Sequence, residues 1–391
     1  MWRIETASSY CNNVTDGTHD SPKKVSSGKY LITSKHIKGR EIDYASAYLI
    51  SEEDYEKINQ RSKVDQWDVI ISMIGEYCGF CYVERNEHID YAIKNVGLFK
   101  TGNKEKALWL YYYLCSPQGK DYLRSVRAGS TQPYISLTEL RRLPIPVPDD
   151  EELKSMVDVL TSYDDLIANN ERTSNTLHTL CSCLYEKLCE NASQMPLSAI
   201  IDHVETGMRP KGGAQSSGIP SIGAEKIECF GKYDYSNEKY IDMDFFNKMK
   251  RGVVSSGDVL LYKDGAYTGK SSMALDDFPH KICAVNEHVF ILRTAAKKMQ
   301  SFLYFTLQSE PIRQKIYALA CGKAAQPGLN QQELMSVVVP IPSRAKIDEF
   351  EQQVNDYLKM IVHNVFESKK LEEARNTVLS KYLCNAPVPS L

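Results

Sequence analysis

Two patterns of apolar residues alternate along the chain and predict two kinds of segment. In residues 1–148 and 194–342, short β-branched and aromatic runs such as WDVIISMI and GDVLLY stand between Gly-containing turns, which is typical of strands. In residues 149–193 and 343–391, apolar residues recur at every third or fourth position, which indicates one long helix in each segment. The pattern therefore predicts an α+β chain in which globular domains and long helices alternate.

The 3-4 spacing defines a mostly apolar seam along each predicted helix, and the seam positions of the two helices match at a separation of 194 residues. In the first helix they are Leu153, Met156, Leu160, Tyr163, Ile167, Asn170, Ser174, Leu177, Cys181, Leu184 and Leu188. In the second they are Ile347, Phe350, Val354, Tyr357, Ile361, Asn364, Ser368, Leu371, Arg375, Val378 and Tyr382. A helix of about 35 residues is roughly 50 Å long, too long for the interior of either globular domain. The two helices are therefore expected to pair with each other as an antiparallel coiled coil.

The two halves of the chain repeat one plan in two registers. In the front of each half, matches lie 190 positions apart, as between Gly17 and Gly207 or between the turns GEYCG at 75–79 and GAYTG at 265–269. Towards the end of each domain the separation becomes 194, as between Gln132 and Gln326. The difference has the size of a loop insertion. The repeat predicts two similar domains and two helices related by a pseudo-two-fold axis.

Composition indicates a soluble globular protein, with 42% hydrophobic and 25% charged residues. No apolar run is long enough for a membrane span, and we see no signal peptide at the start. The 11 cysteines are scattered, so we interpret them as reduced thiols of a cytoplasmic protein. The formal charge of −3 is unusual for a nucleic-acid binder. The acidity lies in residues 149–193, however, with three basic and ten acidic residues.

Motifs of common enzymes and metal sites are missing. The sequence has no phosphate-binding loop, and it lacks the paired motifs of an adenine methyltransferase. Pro148-Asp149 with Glu152 and Lys154 imitates a nuclease motif, but the spacing is too tight for two strands of a sheet. Cys78 and Cys81 form half of a zinc knuckle without a second half. We therefore predict no catalytic residue and no metal ligand.

The remaining candidate chemistry is that of DNA contact. Lysine and arginine neutralise phosphates, and arginine and amide side chains read base edges. In the first half, the candidates are Lys23, Lys24, Lys35, Arg40, Tyr77, Arg127, Ser130 and Gln132. In the second half, they are Arg209, Lys211, Lys226, Lys263, Tyr267, Lys270, Lys323 and Gln326. His19 is interpreted as structural or DNA-facing, because the matched residue is Arg209. The loops differ between the halves, so we expect the two halves to contact different sequences.

In the order of these motifs, the chain resembles the specificity subunits of type I restriction–modification systems. The resemblance rests on DGTHDSP at 16–22, LITSKHIKGREID at 31–43, GSTQPYIS at 129–136 with its echo at 322–330, and the matched Pro-x-Pro motif before each long helix. It covers essentially the whole chain. It implies target-recognition domains at 1–148 and 194–342, which each read half of a bipartite site, and spacer helices at 149–193 and 343–391.

The resemblance also implies partners. Two methyltransferase subunits that use S-adenosylmethionine would dock on the helices, with a motor–nuclease subunit as a further partner. The specificity subunit itself would be non-catalytic and would bind no cofactor. Two alternatives of other classes remain, a duplicated protein-only scaffold and a fragment of a fused restriction–methylation enzyme. The missing motifs argue against the enzyme, and salt-dependent binding to duplex DNA would exclude the scaffold.

A single matched amide pair lies at the midpoint of the two apolar seams. In an antiparallel pair, equivalent residues meet only at the axis, so we expect Asn170 and Asn364 to lie close together. Tyr163 and Tyr357 would then lie about two turns to either side. A buried amide can fix the register of paired helices. A slip of one helix past the other by one heptad would move the domains by about 10 Å, which corresponds to about three base pairs along DNA.

Overall fold

A computed structural model describes residues 2–39, 41–129, 132–322, 328–384 and 386. The chain divides into two compact units, one of residues 1–165 and 371–391 and the other of residues 166–370. Each unit contains one globular domain and parts of both long helices. The prediction of an α+β chain with two similar domains and two long helices is confirmed.

Among its described residues, the first globular domain has nine strands and five α-helices of its own. The strands are β1 (Arg3–Thr6), β2 (Asn13–Asp16), β3 (Lys29–Thr33), β4 (Tyr48–Ile50), β5 (Asp68–Ser72), β6 (Cys81–Val83), β7 (Tyr91–Lys94), β8 (Val96–Lys100) and β9 (Pro144–Val147). The helices are α1 (Ala7–Tyr10), α2 (Glu52–Ser62), α3 (Lys104–Cys115), α4 (Pro117–Ser125) and α5 (Leu137–Arg142). The first long helix, α6, is Asp150–Cys189.

The second globular domain has the same plan. Its strands are β10 (Ser193–Pro196), β11 (Ile201–Thr206), β12 (Ile219–Ile222), β13 (Tyr240–Ile241), β14 (Val259–Tyr262), β15 (Ser271–Met273), β16 (Ala284–Val285), β17 (Val289–Thr294) and β18 (Val338–Ile341). The helices are α7 (Met243–Lys248), α8 (Gln300–Gln308), α9 (Glu310–Cys321) and α10 (Gln331–Ser336). The second long helix, α11, is Arg344–Cys384.

The sheets of the two domains correspond strand for strand. In the first domain the orders are β2-β8-β5-β6, β4-β3-β7 and β1-β9, and in the second they are β11-β17-β14-β15, β13-β12-β16 and β10-β18. In both three-stranded sheets one pair is parallel, β3 with β7 and β12 with β16, and the other is antiparallel. This shared topology is the structural counterpart of the sequence repeat.

Strand β5 explains why its apolar run is continuous. Both of its edges are paired, with β6 and β8. Its side chains alternate between two cores, since Val69 and Ile71 pack with the helical layer that contains Trp109, whereas Ile70 packs with residues of the three-stranded sheet. A strand buried on both faces has no polar face and therefore no alternation. In β14, Leu260 likewise packs with residues of the three-stranded sheet, whereas Val259 and Leu261 pack with the helical layer of the second domain.

Segments of the two long helices pack antiparallel within each unit. In the unit of residues 166–370, the rings of Tyr185 and Phe350 are 6.4 Å apart, and Asn364 Nδ2 is 3.2 Å from Ser174 Oγ. In the other unit, Arg375 Nη1 donates to Asp164 Oδ1 at 2.5 Å. In the unit of residues 166–370, higher numbers on one helix thus meet lower numbers on the other, so the predicted antiparallel pairing is confirmed. Within the described residues, no helix combines the length and the apolar character of a membrane span.

Candidate nucleic-acid interface

Two matched hairpins carry the clearest candidate surface of each domain. We call residues 73–80, between β5 and β6, the first tip, and residues 263–270, between β14 and β15, the second tip. In the first, Gly79 N donates to Ser72 O at 2.8 Å, and in the second, Gly269 N donates to Tyr262 O at 2.9 Å. Both glycines have left-handed φ angles, +95° and +99°, which favour glycine. The repeated sequence of the turns thus specifies the same backbone twice.

The loop near the end of each domain lies against the tip of the same domain. In the first domain, Ile135 N donates to Met73 O at 2.9 Å and Gly75 N donates to Pro133 O at 2.8 Å. In the second, Leu329 N donates to Lys263 O at 2.9 Å. The tips of the two domains match at a separation of 190 residues and the loops at 194, so these contacts bring together segments that belong to different registers of the repeat. Candidate residues far apart in sequence are therefore brought together.

Three candidates of the first half meet at the first tip. Arg127 Nη2 donates to the carbonyl oxygen of Cys78, which links the loop to the turn. A Cβ at Gly79 would lie 3.1 Å from Arg127 Nη2, and a Cβ at Gly75 would lie 4.0 Å from Gln132 Nε2. The ring of Tyr77 also belongs to this surface, with the ammonium group of Lys38 4.3 Å from its centroid. The first tip thus combines cationic, amide and aromatic groups.

The remaining candidates of the first half lie elsewhere or outside the described residues. Lys23 and Lys24 are exposed, and Lys23 lines a cleft of about 520 Å³ together with Lys57 and Arg61. Lys35 is exposed on the 3₁₀ turn Ser34–His36. The candidates outside the described residues are Arg40 and Ser130 of the first half and Lys323 and Gln326 of the second.

The second tip differs from the first in its charges. Tyr267 is 61% exposed, and the ammonium group of Lys270 lies 4.6 Å from its ring centroid. Lys270 Nζ also donates to Glu228 Oε1 at 2.6 Å, and Lys263 Nζ is 2.7 Å from Asp264 Oδ2. Both lysines are therefore paired with carboxylates. Elsewhere in this domain, Arg209 is exposed, 3.5 Å from Glu287 Oε1, and Lys211 is exposed in a turn.

Lys226 is placed inside the second domain rather than on a DNA-facing loop. It is 9% exposed, and its ammonium group donates to Asp234 Oδ2 and Asp234 O, both at 2.9 Å, and to the carbonyl oxygen of Ser236. Its charge is thus taken up by protein oxygens, and we remove it from the candidate interface. The matched residue, His36, is also buried, and burial lowers its pKa. This position braces a turn in both domains.

His19 belongs to a polar cluster that holds the loop after β2. Its Nε2 is 3.0 Å from Asp16 Oδ2 and its Nδ1 is 2.9 Å from Asn95 Oδ1, while Arg61 donates to the other oxygen of Asp16. These contacts support the structural interpretation of His19. In the described part of the chain, no group of three or more His, Cys, Asp and Glu side chains is arranged to hold a metal ion.

Sequence reasoning missed three residues in or beside the first tip. Phe80 and Tyr134 are exposed aromatic residues there, and Lys38 supplies its cation. Phe80 directly precedes β6 and was not among the candidate residues. The matched position in the second domain is Lys270. The alignment of apolar Phe80 with a charged residue in the repeat could have indicated that this position faces outward.

Asn170 and Asn364 lie together on the helix pair. Asn364 is buried, and its Nδ2 lies 3.5 Å from the Asn170 carbonyl oxygen and 3.2 Å from Ser174 Oγ. Asn170 Nδ2 donates to Glu367 Oε2 at 2.7 Å. The contact between the two asparagines therefore runs through a backbone oxygen. Their role in fixing the helix register stays a prediction.

Comparisons with known proteins show what this chain is similar to. The family model described as "Type I restriction modification DNA specificity domain" matches residues 23–179. The chain is 20% identical over 356 residues to the type I restriction enzyme MjaVIII specificity subunit of Methanocaldococcus jannaschii, which covers 83% of the chain and 80% of the relative. It is also 20% identical over 300 residues to the MjaIX specificity subunit of that organism, and this match covers 70% of the chain and 67% of the relative.

The fold agrees with these matches. A crystal structure of a type I restriction–modification system S subunit from M. genitalium superposes with a TM-score of 0.54 at 14% identity, covering 100% of this chain and 97% of that one. The resemblance of this chain to the type I restriction–modification specificity subunits is confirmed in sequence and in fold.

Proposed function

We propose that this chain is the sequence-specific DNA-binding subunit of a type I restriction–modification complex, non-catalytic itself, and that each domain reads one half of a bipartite target. The observation that carries this proposal is the pair of matched tips. They share one backbone, but they present different side chains, as at Phe80 and Lys270. A shared frame with different polar and aromatic groups suits two domains that read two different half-sites.

Binding to duplex DNA tests this function directly. The full chain should bind a duplex that contains its target more tightly than an unrelated duplex, and both affinities should fall as salt rises, because bound cations of DNA are released. The target sequence can be read from the methylated adenines of cells that contain the complex. Binding that does not depend on salt or on sequence would favour the protein-only scaffold instead.

Arg127→Ala should weaken binding to the target by about 1–3 kcal/mol, because the guanidinium group lies at the first tip and holds the loop to it. Arg124→Ala is the matched control, since Arg124 is an exposed arginine on helix α4 paired with Asp121 at 3.0 Å. Affinities are measured by fluorescence anisotropy at several salt concentrations. Equal effects of the two substitutions would remove Arg127 from the interface.

We also propose that two methyltransferase subunits, which use S-adenosylmethionine, dock on the long helices, that motor–nuclease subunits join the complex, and that it works in the cytoplasm. Leu166 on α6 and Met360 on α11 support the docking proposal. They are 53% and 49% exposed, and they are matched positions, 194 residues apart. A single exposed apolar residue needs no explanation. Two at equivalent places suggest one partner surface that occurs twice.

A further inference from the structure

The first tip presents a phenylalanine where the second presents a lysine. Phe80 and Lys270 occupy the same place, because the Phe80 carbonyl accepts from Ser72 N at 2.8 Å and the Lys270 carbonyl accepts from Tyr262 N at 2.8 Å. The Phe80 side chain is 47% exposed, and its ring meets that of Tyr77 edge-on, with centroids 5.7 Å apart. The backbone thus holds an apolar ring at the surface of one domain.

The surroundings of Phe80 favour a ligand that is both charged and apolar. Lys38 lies over the neighbouring Tyr77 ring, and Arg127 is bonded to the same turn. Tyr134 adds a second exposed aromatic side chain in the loop that packs on the tip. DNA combines negative phosphates with flat bases and, in thymine, an apolar methyl group.

Glu76 indicates which part of the DNA the first tip faces. It is exposed on the same turn, where the second tip has Ala266. Phosphates repel a carboxylate, whereas the amino group of cytosine in the major groove can donate to one. A two-stranded hairpin also fits into the major groove. The first tip therefore suits base edges better than the phosphate backbone.

Resting on the proposed function, we propose that Phe80 contacts the 5-methyl group of a thymine in the major groove of one half-site, and that the second domain lacks this contact. Thymine is the base that displays an apolar group in this groove. In the second domain the matched side chain is the Lys270 ammonium, which is bonded to Glu228. The two half-sites would thus be distinguished by one apolar and one polar contact at the same place.

Substitution of thymine by uracil tests this contact, because it removes only the methyl group. Each thymine of both half-sites is replaced in turn in the target duplex, and affinities are measured for the full wild-type chain and for Phe80→Ala. For one thymine, the wild type should lose about fourfold in affinity, the value of one buried methyl group. Phe80→Ala should bind the thymine and uracil duplexes equally. Lys270→Ala, the matched control, should keep the full loss.

The outcomes separate this inference from the proposed function. A wild-type chain that does not prefer its target duplex would contradict the proposed function itself. A wild-type chain that prefers its target, but loses no affinity at any uracil, would overturn only the thymine contact. So would a uracil effect that persists in Phe80→Ala. If that variant does not fold, Phe80→Lys, with the residue natural to the second tip, gives the same test.

Discussion

Replacing Asp258 by Asn is expected to destabilise the second globular domain by about 3–5 kcal/mol, the usual effect of breaking a buried ion pair. The Asp258 side chain is fully buried at the start of β14. It accepts two hydrogen bonds from Arg293, from Nε at 2.7 Å and from Nη2 at 2.6 Å, and Lys297 Nζ is 2.7 Å from it. The neutral amide would leave the cations of Arg293 and Lys297 partly uncompensated.

Asp68 provides the matched control in the first domain. It also begins a central strand, but Lys100 is its single cationic partner among the ion pairs of the described residues, at 2.8 Å. Burial raises the pKa of Asp68 and outweighs the hydrogen bond from Lys100, which lowers it. At Asp258 burial acts in the same direction, but the hydrogen bonds from Arg293 and Lys297 outweigh it and lower the pKa. Asp68→Asn should therefore destabilise its domain much less.

The two aspartates should also respond oppositely to acid. A lowered pKa means that the stabilisation by Asp258 is present above the ordinary aspartate pKa of about 3.9 and is lost as the pH falls through the lower value of the folded state. A raised pKa means that Asp68 is penalised as an anion, and protonation relieves this penalty. Hydrogen exchange read separately on β14 and β5 measures both effects. Equal losses of protection for the two Asn variants would contradict this account.

Charged substitutions at the matched helix positions should change the stoichiometry of the complex. Leu166→Asp and Met360→Asp are each expected to reduce the number of bound methyltransferase subunits from two to one, and the double variant should bind none. Interface residues at the centre of a contact contribute about 2 kcal/mol or more, so affinity at the altered site should fall by at least about 30-fold. Native mass spectrometry of the co-expressed subunits measures the stoichiometry.

A control for docking is available on the same helix. Leu180 is also exposed on α6, but its matched residue on α11 is Ala374, so it has no large apolar counterpart. Leu180→Asp should leave two methyltransferase subunits bound. If this variant lost a subunit and Leu166→Asp did not, the partner surface would lie elsewhere on the helix.

The features that the sequence predicted are those that depend on local periodicity and on the repeat. The long helices follow from a 3-4 spacing, and the tips follow from turn sequences that occur twice. Lys226 was predicted to contact DNA because it is a basic residue in a predicted loop. Its burial depends on the fold of residues 234–236 around its ammonium group, which is a tertiary contact without a sequence pattern. The outward position of Phe80 was hidden for a similar reason, since hairpin geometry decides it.

Helix α11 completes the core of the first globular domain. Leu379 and Leu383 near the C-terminus of α11 are buried in the core of the first domain with Leu153, Met156 and Leu160. During synthesis on the ribosome, the first globular domain is translated before α11, but its core is complete only when the last turns of α11 have been made. A chain cut short within α11 before residue 379 would therefore leave the core of the first globular domain incomplete, although that domain precedes both long helices in the sequence.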